Sequence, residues 1–343
     1  MLRAMDSAVA GLRAHQNKMD VVGHNIANVN TFGFKAQTYT FKEAMYQTSS
    51  SSTGGTAEAG GSNAAQFGYG ALMGTIGMDM TASTPTYVGG GLNASISGDG
   101  FFLVKSLKGG SAPDNIKDNA YYFTRVGQFT LDSNGYLVDG DKNFVFGFAP
   151  SNEDNGELEM DNLVPIRMPD KGSYVPSKPN NTDPDKMDPA KAEFSYEDGP
   201  TILAQEVTIN SAGEIMAKIE YEYSEDATGN IIVPPAANQT VKKGTAVLSL
   251  GKVAVATFQN PNGLTKAGGN YYTTSKGDNA GDAQATIAGG AAPDLMPGYV
   301  EASNVDLAKE FSDMITTHRG FQSNTKMITV SDEMLSDLVS MKR

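Results

Sequence analysis

The residues of this chain that could do chemistry are few, and their spacing works against each of them. The histidines are His15, His24 and His318. A zinc hydrolase places two histidines one helical turn apart around a glutamate, as in HExxH, and none of the three has such a neighbour. His15 and His318 fall inside helix-patterned segments, at or beside the apolar seam, and read as structural or surface histidines. Gly68, Gly70 and Gly74 form a GxGxxxG run. A phosphate loop needs a parallel strand-loop-helix unit around it, and the flanking sequence supplies none. Asp139, Asp141 and Asn143 begin like a calcium loop, but Phe144 stands where the loop needs glycine and Pro150 where it needs a bidentate glutamate. They read as turn residues. There is no nucleophile elbow. With no cysteine there is neither a thiolate metal site nor a disulfide framework. No residue is therefore assigned a catalytic, cofactor-binding or metal-ligating role, and the chain is not expected to be an enzyme.

What the sequence offers instead is unpartnered apolar surface. Leu2, Met5, Val9, Leu12, Met19 and Ile26 recur at the three-and-four spacing of a helix seam. Leu307, Phe311, Met314, Phe321, Ile328, Leu335 and Val339 do the same at the other terminus. The first stripe slips by one position near Gln16 and Gly23, and the helix is expected to stop near Asn28, Asn30, Thr31 and Gly33. The second is expected to start behind Ser303 or Asn304 as N-cap, with Asp306 and Glu310 near the positive end of the helix dipole and Lys342 and Arg343 closing the negative end. An isolated amphipathic helix is marginal in water, and its stability comes from packing the apolar face. Fully burying a leucine or phenylalanine side chain contributes about 1.5 to 3 kcal/mol. A dozen such positions call for partners, and burial between copies of the chain satisfies that demand. Asymmetric contacts that do not close into a ring give a helical filament.

The rest of the chain places these helices at the two ends of a β protein. Charged residues make up 19%, below the usual share of about a quarter, and glycine numbers 38. Short strands separated by turns are expected at 93–97, 101–105, 121–125, 128–131, 136–138 and 144–148, and again at 205–210, 214–223, 245–250 and 252–258. Asp132-Ser133-Asn134-Gly135 is a hairpin turn, since asparagine and glycine accept positive φ. Residues 149–200 carry twelve acids against five bases and are rich in proline. This composition belongs to a solvated insertion. The expected class is α+β, mainly β. Residues 1–30 and 301–343 pair as a coiled-coil-like helical domain, 31–66 form a linker or extended loop, 67–148 and 201–300 build one β-rich wall, and 149–200 form a small outer insertion.

The net charge of −13 and the lack of any basic cluster exclude a nucleic-acid partner. No stretch approaches the ~20 apolar residues of a membrane span. The first residues carry Arg3 and Asp6 inside a broken apolar pattern, unlike a secretory leader. Export without a cleavable signal is the expectation.

Met19 to Lys35, reading MDVVGHNIANVNTFGFK, resembles the N-terminal signature of the axial proteins of the bacterial flagellum, with Asn25, Asn28, Asn30, Gly33, Phe34 and Lys35 among its residues. Ser303, Asn304, Val305 and Asp306, continuing to Phe311, resemble the C-terminal signature of that rod and hook family, as does the run Arg319 to Asn324. The runs Ile96 to Phe102 and Phe123 to Phe129 also match. The resemblance fails across 149–200. It implies an extracellular, self-assembling structural subunit of the flagellar hook, whose terminal helices form an inner tube and whose β domain forms the wall of a universal joint carrying torque from rod to filament. The implied partners are further copies of the chain, the distal rod protein, the hook cap, the hook-filament junction protein and the flagellar type III export apparatus. A distal rod protein of the basal body shares both terminal signatures and is the alternative.

Overall fold

The computed structural model describes residues 2–55, 60–106, 121–150, 158–167, 174–176, 192–194, 203–225, 231–232, 242–275, 277–290 and 292–341. The fold is mainly β with a long helix at each terminus, α+β as expected. It divides into two compact units. One comprises Met1–Thr31, Lys35–Met80 and Ser303–Arg343, the other Phe32–Phe34 and Thr81–Ala302.

In the first unit, α1 (Leu2–Ala27) and α2 (Leu307–Met341) pack antiparallel. Asn25 meets Glu310, Lys18 pairs with Asp313 at 3.1 Å, and the surfaces of Gly11 and Gly320 face Asn324 and His15. A Cβ on Gly11 or Gly320 would fall 2.7 Å from these partners, so the two glycines set how closely the helices approach. At the start of α2 the cap is Asp306, not Ser303 or Asn304. Its Oδ1 accepts from the N–H groups of Ala308 at 2.9 Å and Lys309 at 3.3 Å. Asn304 is drawn away from capping because its side chain accepts from the Ala36 N–H at 2.7 Å and donates to the Asp79 carbonyl at 2.8 Å. Lys342 and Arg343 lie outside the described residues.

The expected linker at 31–66 is replaced by structure. Gln37–Glu43 pairs antiparallel with Ala71–Met78, and further out Tyr46–Ser50 pairs with Ala65–Gly68, making one long two-stranded ribbon. Residues 67–80, expected in the β wall, thus belong with the helices. The physical reason lies in the ribbon's base, where Thr, Tyr and Phe alternate in a strand pattern that the Ser- and Gly-rich distal part masks. An isolated hairpin is marginal in water, and α1 supplies the surface against which this one rests. Gly70, at φ +97°, lies so near α1 that a Cβ would sit 2.9 Å from the Ser7 carbonyl oxygen.

The second unit is built on an antiparallel sheet. Its strands run in the order Leu203–Ile209, Glu214–Glu225, Lys242–Thr257, Phe144–Pro150, Phe101–Lys105, Tyr122–Thr124, Tyr271–Thr273 and Thr265–Gly268. Two expected strands, 245–250 and 252–258, are one strand, Lys242–Thr257, which jogs past its neighbour where Ile215 pairs with Gly251 but Met216 with Ser249. Glycine at φ +128° absorbs the bulge that sequence pattern reads as a break. Both faces are covered in the middle of the sheet. Phe102, Val104, Val145, Val253 and Val255 belong to one apolar cluster. Phe101, Phe123, Phe258 and Tyr272 stack edge-on in an aromatic set, with centroids 4.9 to 5.7 Å apart.

Part of the expected insertion belongs to this sheet, since Leu158–Pro165 pairs with Phe144–Pro150 and Ile166 is buried in the core. Burial of Leu163 and Ile166 draws this stretch inward despite its acidic surroundings. Tyr174–Pro176 pairs with Ala192–Phe194. The remainder of 149–200 lies outside the described residues.

Candidate assembly surface

The residues with chemical potential sit in structural roles or on the surface. His15 packs its ring 5.3 Å from that of Phe41, and burial, with Lys18 nearby, lowers its pKa. His24 lies beside Asn28, and His318 is exposed. Asp139 folds a turn: its Oδ1 accepts from the N–H groups of Asp141 at 3.0 Å and Asn143 at 2.8 Å. The Tyr271 hydroxyl reaches Asp139 at 2.7 Å and Asp141 at 2.8 Å, and burial together with these contacts pushes the phenol pKa up. Gly70 and Gly74 make the ribbon's close contacts, Gly70 on α1 and Gly74 on Thr40. Among the described residues no group of three His, Asp or Glu side chains converges to hold a metal ion.

The terminal signatures have specific structural work. Asn25 is buried and acts as a stand-in for a strand residue: its amide donates to the Gln37 carbonyl at 2.8 Å and its Oδ1 accepts from the Gln37 N–H at 2.9 Å. The same amide donates to Glu310 at 3.2 Å, so one side chain ties α1 to α2 and to the ribbon. Burial raises the Glu310 pKa, against the opposing hydrogen bond from Asn25. Asn28 satisfies the end of α1 by donating to the His24 carbonyl at 2.9 Å and accepting from Thr31 at 3.2 Å. Asn30 is exposed, Phe34 and Lys35 are buried, and Val305 is half-buried, its N–H 3.4 Å from the Ser303 hydroxyl.

Gly33, in the β unit, adopts φ +67° and donates to the Glu301 carbonyl at 2.8 Å. A Cβ there would lie 2.9 Å from Val126. Glu301 was not legible as functional from sequence. Its carboxylate takes the Arg125 Nη1 at 3.3 Å and the Ser83 N–H at 2.9 Å, with both charged side chains 2% exposed. Arg125 also donates to the Gly98 carbonyl at 2.7 Å and lies 5.1 Å from the centre of the Phe101 ring. The signal was the arginine inside the aromatic run Phe123 to Phe129; its partner is 176 residues away.

The seam residues divide in an unexpected way. On α1 the buried positions are Ala8, Ala14, Val21, Val22 and Asn25, while Met5, Leu12, Met19 and Ile26 are half-buried and Val9 is exposed. The Leu2 side chain lies outside the described residues. On α2 the buried positions are Glu310, Thr317 and Ser331. They recur in register with Asn324 at every seventh residue, the spacing of a coiled-coil contact. Met314, Phe321, Ile328 and Leu335, again at sevens, flank that line half-buried, and Leu307, Phe311 and Val339 are exposed. Small and polar residues, with Val21 and Val22, thus form the tight contact within the chain, and the larger apolar ones flank it half-buried or stand exposed. Of the large apolar side chains left exposed among the described residues, all but Tyr87, Val88, Tyr122 and Leu131 belong to the helical unit.

Residues 5–35 match a family described as flagella basal body rod protein, and residues 296–341 one described as flagellar basal body rod FlgEFG protein C-terminal. The flagellar basal-body rod protein FlgG of Bacillus subtilis is 33% identical over 343 residues, covering 100% of both chains. The chain belongs to the flagellar rod and hook protein family. The flagellar hook protein FlgE of Borreliella burgdorferi is 26% identical, covering 100% of both chains, and that of Salmonella typhimurium is 26% identical over 99% of this chain and 100% of its own. A crystal structure of the Helicobacter pylori flagellar hook protein FlgE2 is similar over 64% of this chain and 100% of that one, at 12% identity and a TM-score of 0.33. As a member of the rod and hook family, the chain is a structural component of the bacterial flagellum that serves motility by polymerising, and it is not an enzyme. No helix among the described residues is long and apolar enough to cross a membrane.

Proposed function

We propose that this chain is the structural subunit of the flagellar hook, forming a curved helical tube that transmits torque from rod to filament while bending. The observation that carries the self-assembly reading is the concentration of exposed apolar side chains on the helical unit. A monomer gains nothing from leaving Phe311, Ile315, Met327, Val330 and Leu338 in water, whereas an inner tube of packed helices buries them. The seam residues Leu2, Met5, Val9, Leu12, Met19 and Ile26 and their α2 counterparts are the proposed assembly contacts. The hook reading rests on end-to-end likeness to hook proteins and on the acidic, proline-rich composition of residues 149–200. On this reading the subunit is exported by the flagellar type III apparatus, works outside the cell, and meets the distal rod protein, hook cap and hook-filament junction protein at the ends of its polymer.

One observation favours a distal rod subunit instead, the 33% identity to the Bacillus subtilis rod protein over the full length of both chains. Electron microscopy of the concentrated full-length chain, beside a version lacking residues 1–30 and 301–343, tests both readings. Curved polymers from the full-length chain alone support the hook, straight rigid ones the rod. Polymers from the truncated version refute helix-driven assembly.

A further inference from the structure

Within the helical unit, a groove of about 390 Å³ runs between α1 and the strand Ala71–Met78. Val9, Ala14, Leu72 and Met73 line it together with the exposed Asp6, Arg13 and Asn17. Val9, Leu72 and Met73 keep 39 to 46% of their surface accessible, so the apolar part of the groove is uncovered. Arg13 makes no ion pair among the described residues.

The end of α2 has the opposite shape. Met334, Leu338 and Met341 follow one another at four and three residues along one face, all exposed, and Asp337 lies on that face between them. Asp337 likewise has no ion-pair partner among the described residues. The antiparallel pairing of Gly11 with Asn324 and His15 with Gly320 brings the first turn of α1 level with the turn before Met334. The last two turns of α2 therefore overrun α1. At 1.5 Å per residue, Leu338 lies roughly 20 Å along the axis from the middle of the groove. Because α2 is continuous to Met341, this tail cannot fold back into its own groove.

We propose that the final turns of α2 from one copy of the chain seat Met334, Leu338 and Met341 in the α1–ribbon groove of a second copy, with Asp337 meeting Arg13. The charge match is one pair. Asp337 stands on the exposed face of the tail, and Arg13 stands in the groove about two turns beyond the groove's own acid, Asp6. Knob and groove are different surfaces of the same unit, so each copy donates one and accepts one, and the contact propagates instead of closing. This inference rests on the self-assembly reading and names one of its contacts.

The chain has no cysteine, so an introduced pair reports without background. Mild oxidation of polymers carrying both Leu72→Cys and Leu338→Cys is expected to give a covalent ladder. Copolymers of the two single variants are expected to stop at dimers. Leu72→Cys combined with Ile315→Cys, on α2 but away from its tail, serves as the control and is expected to give no ladder. Polymers visible by microscopy with a ladder no stronger than the control overturn the docking and leave self-assembly standing; failure of the unaltered chain to polymerise sinks both. Should the cysteines themselves block polymerisation, the charge pair decides. Arg13→Glu is expected to raise the critical concentration about tenfold, and Asp337→Arg in the same chain to restore it, so a double variant no better than Arg13→Glu overturns the proposal.

Discussion

Replacing Val339 and Met341 by serine separates folding from assembly, because these two side chains are 69% and 82% exposed in the single chain. So little of either is buried that the fold is expected to notice the change by no more than about 0.5 kcal/mol, the usual range for a surface substitution. In a polymer that covers the end of α2, the accessible remainder leaves water. Full burial of a side chain of this size contributes about 1.5 to 3 kcal/mol, so the exposed two-thirds to four-fifths amount to about 2–4.5 kcal/mol for the pair. At about 1.4 kcal/mol per tenfold, the critical concentration for polymerisation is expected to rise about 30- to 1,500-fold. Urea unfolding followed by circular dichroism measures the first quantity, and sedimentation of polymer from a concentration series the second. A critical concentration within twofold of the unaltered chain, with stability also unchanged, refutes the claim that the α2 end is buried on assembly. A loss of 2 kcal/mol in the isolated chain also refutes it, by showing that these residues serve the fold.

Three further outcomes follow from buried polar groups. Asn25→Ala removes both hydrogen bonds to the Gln37 backbone and the one to Glu310, leaving a peptide group unpaired, and is expected to cost about 2–3 kcal/mol in urea unfolding. Glu310→Gln keeps an acceptor for Asn25 but removes a carboxyl whose pKa is raised by burial above its ordinary 4.5. A raised folded-state pKa means that the native carboxyl stabilises the fold when protonated and loses that contribution as pH rises through the folded value. The variant is therefore expected to be more stable than the original chain at pH 7, with the gap closing in thermal melts as pH falls toward 4.5 and below. Arg125→Met removes the charged partner of the buried Glu301 carboxylate and the donor to the half-buried Gly98 carbonyl, and is expected to destabilise the β unit by about 3–5 kcal/mol, read as an earlier loss of its tyrosine signal in denaturant.

Much of the architecture was legible because it rests on local rules. The helix at each end, the turn at Asp132 to Gly135 and the strands around Phe101 and Phe144 follow from periodicity and turn chemistry within a few residues. The ribbon from Gln37 to Met78 was not legible, since its distal Ser- and Gly-rich part has the composition of a linker and its stability comes from α1. The cap of α2 shifted to Asp306 because Asn304 has better partners at Ala36 and Asp79, both far away in sequence. The pairing of Arg125 with Glu301 was hidden for the same reason.

Amphipathic periodicity alone determines that the chain ends in two helices with apolar faces, since 3.6 residues per turn maps the pattern directly onto a surface. Which residues on those faces meet inside the chain and which stay outside was decided by tertiary structure. Gly11, Ala14, Thr317 and Gly320 take the contact because close approach of two helices and a ribbon leaves room only for small side chains. The large side chains that hydrophobicity would have placed in the core flank that contact half-buried, as Leu12 and Phe321 do, or stand exposed, as Phe311 and Val339 do, available to other copies of the chain.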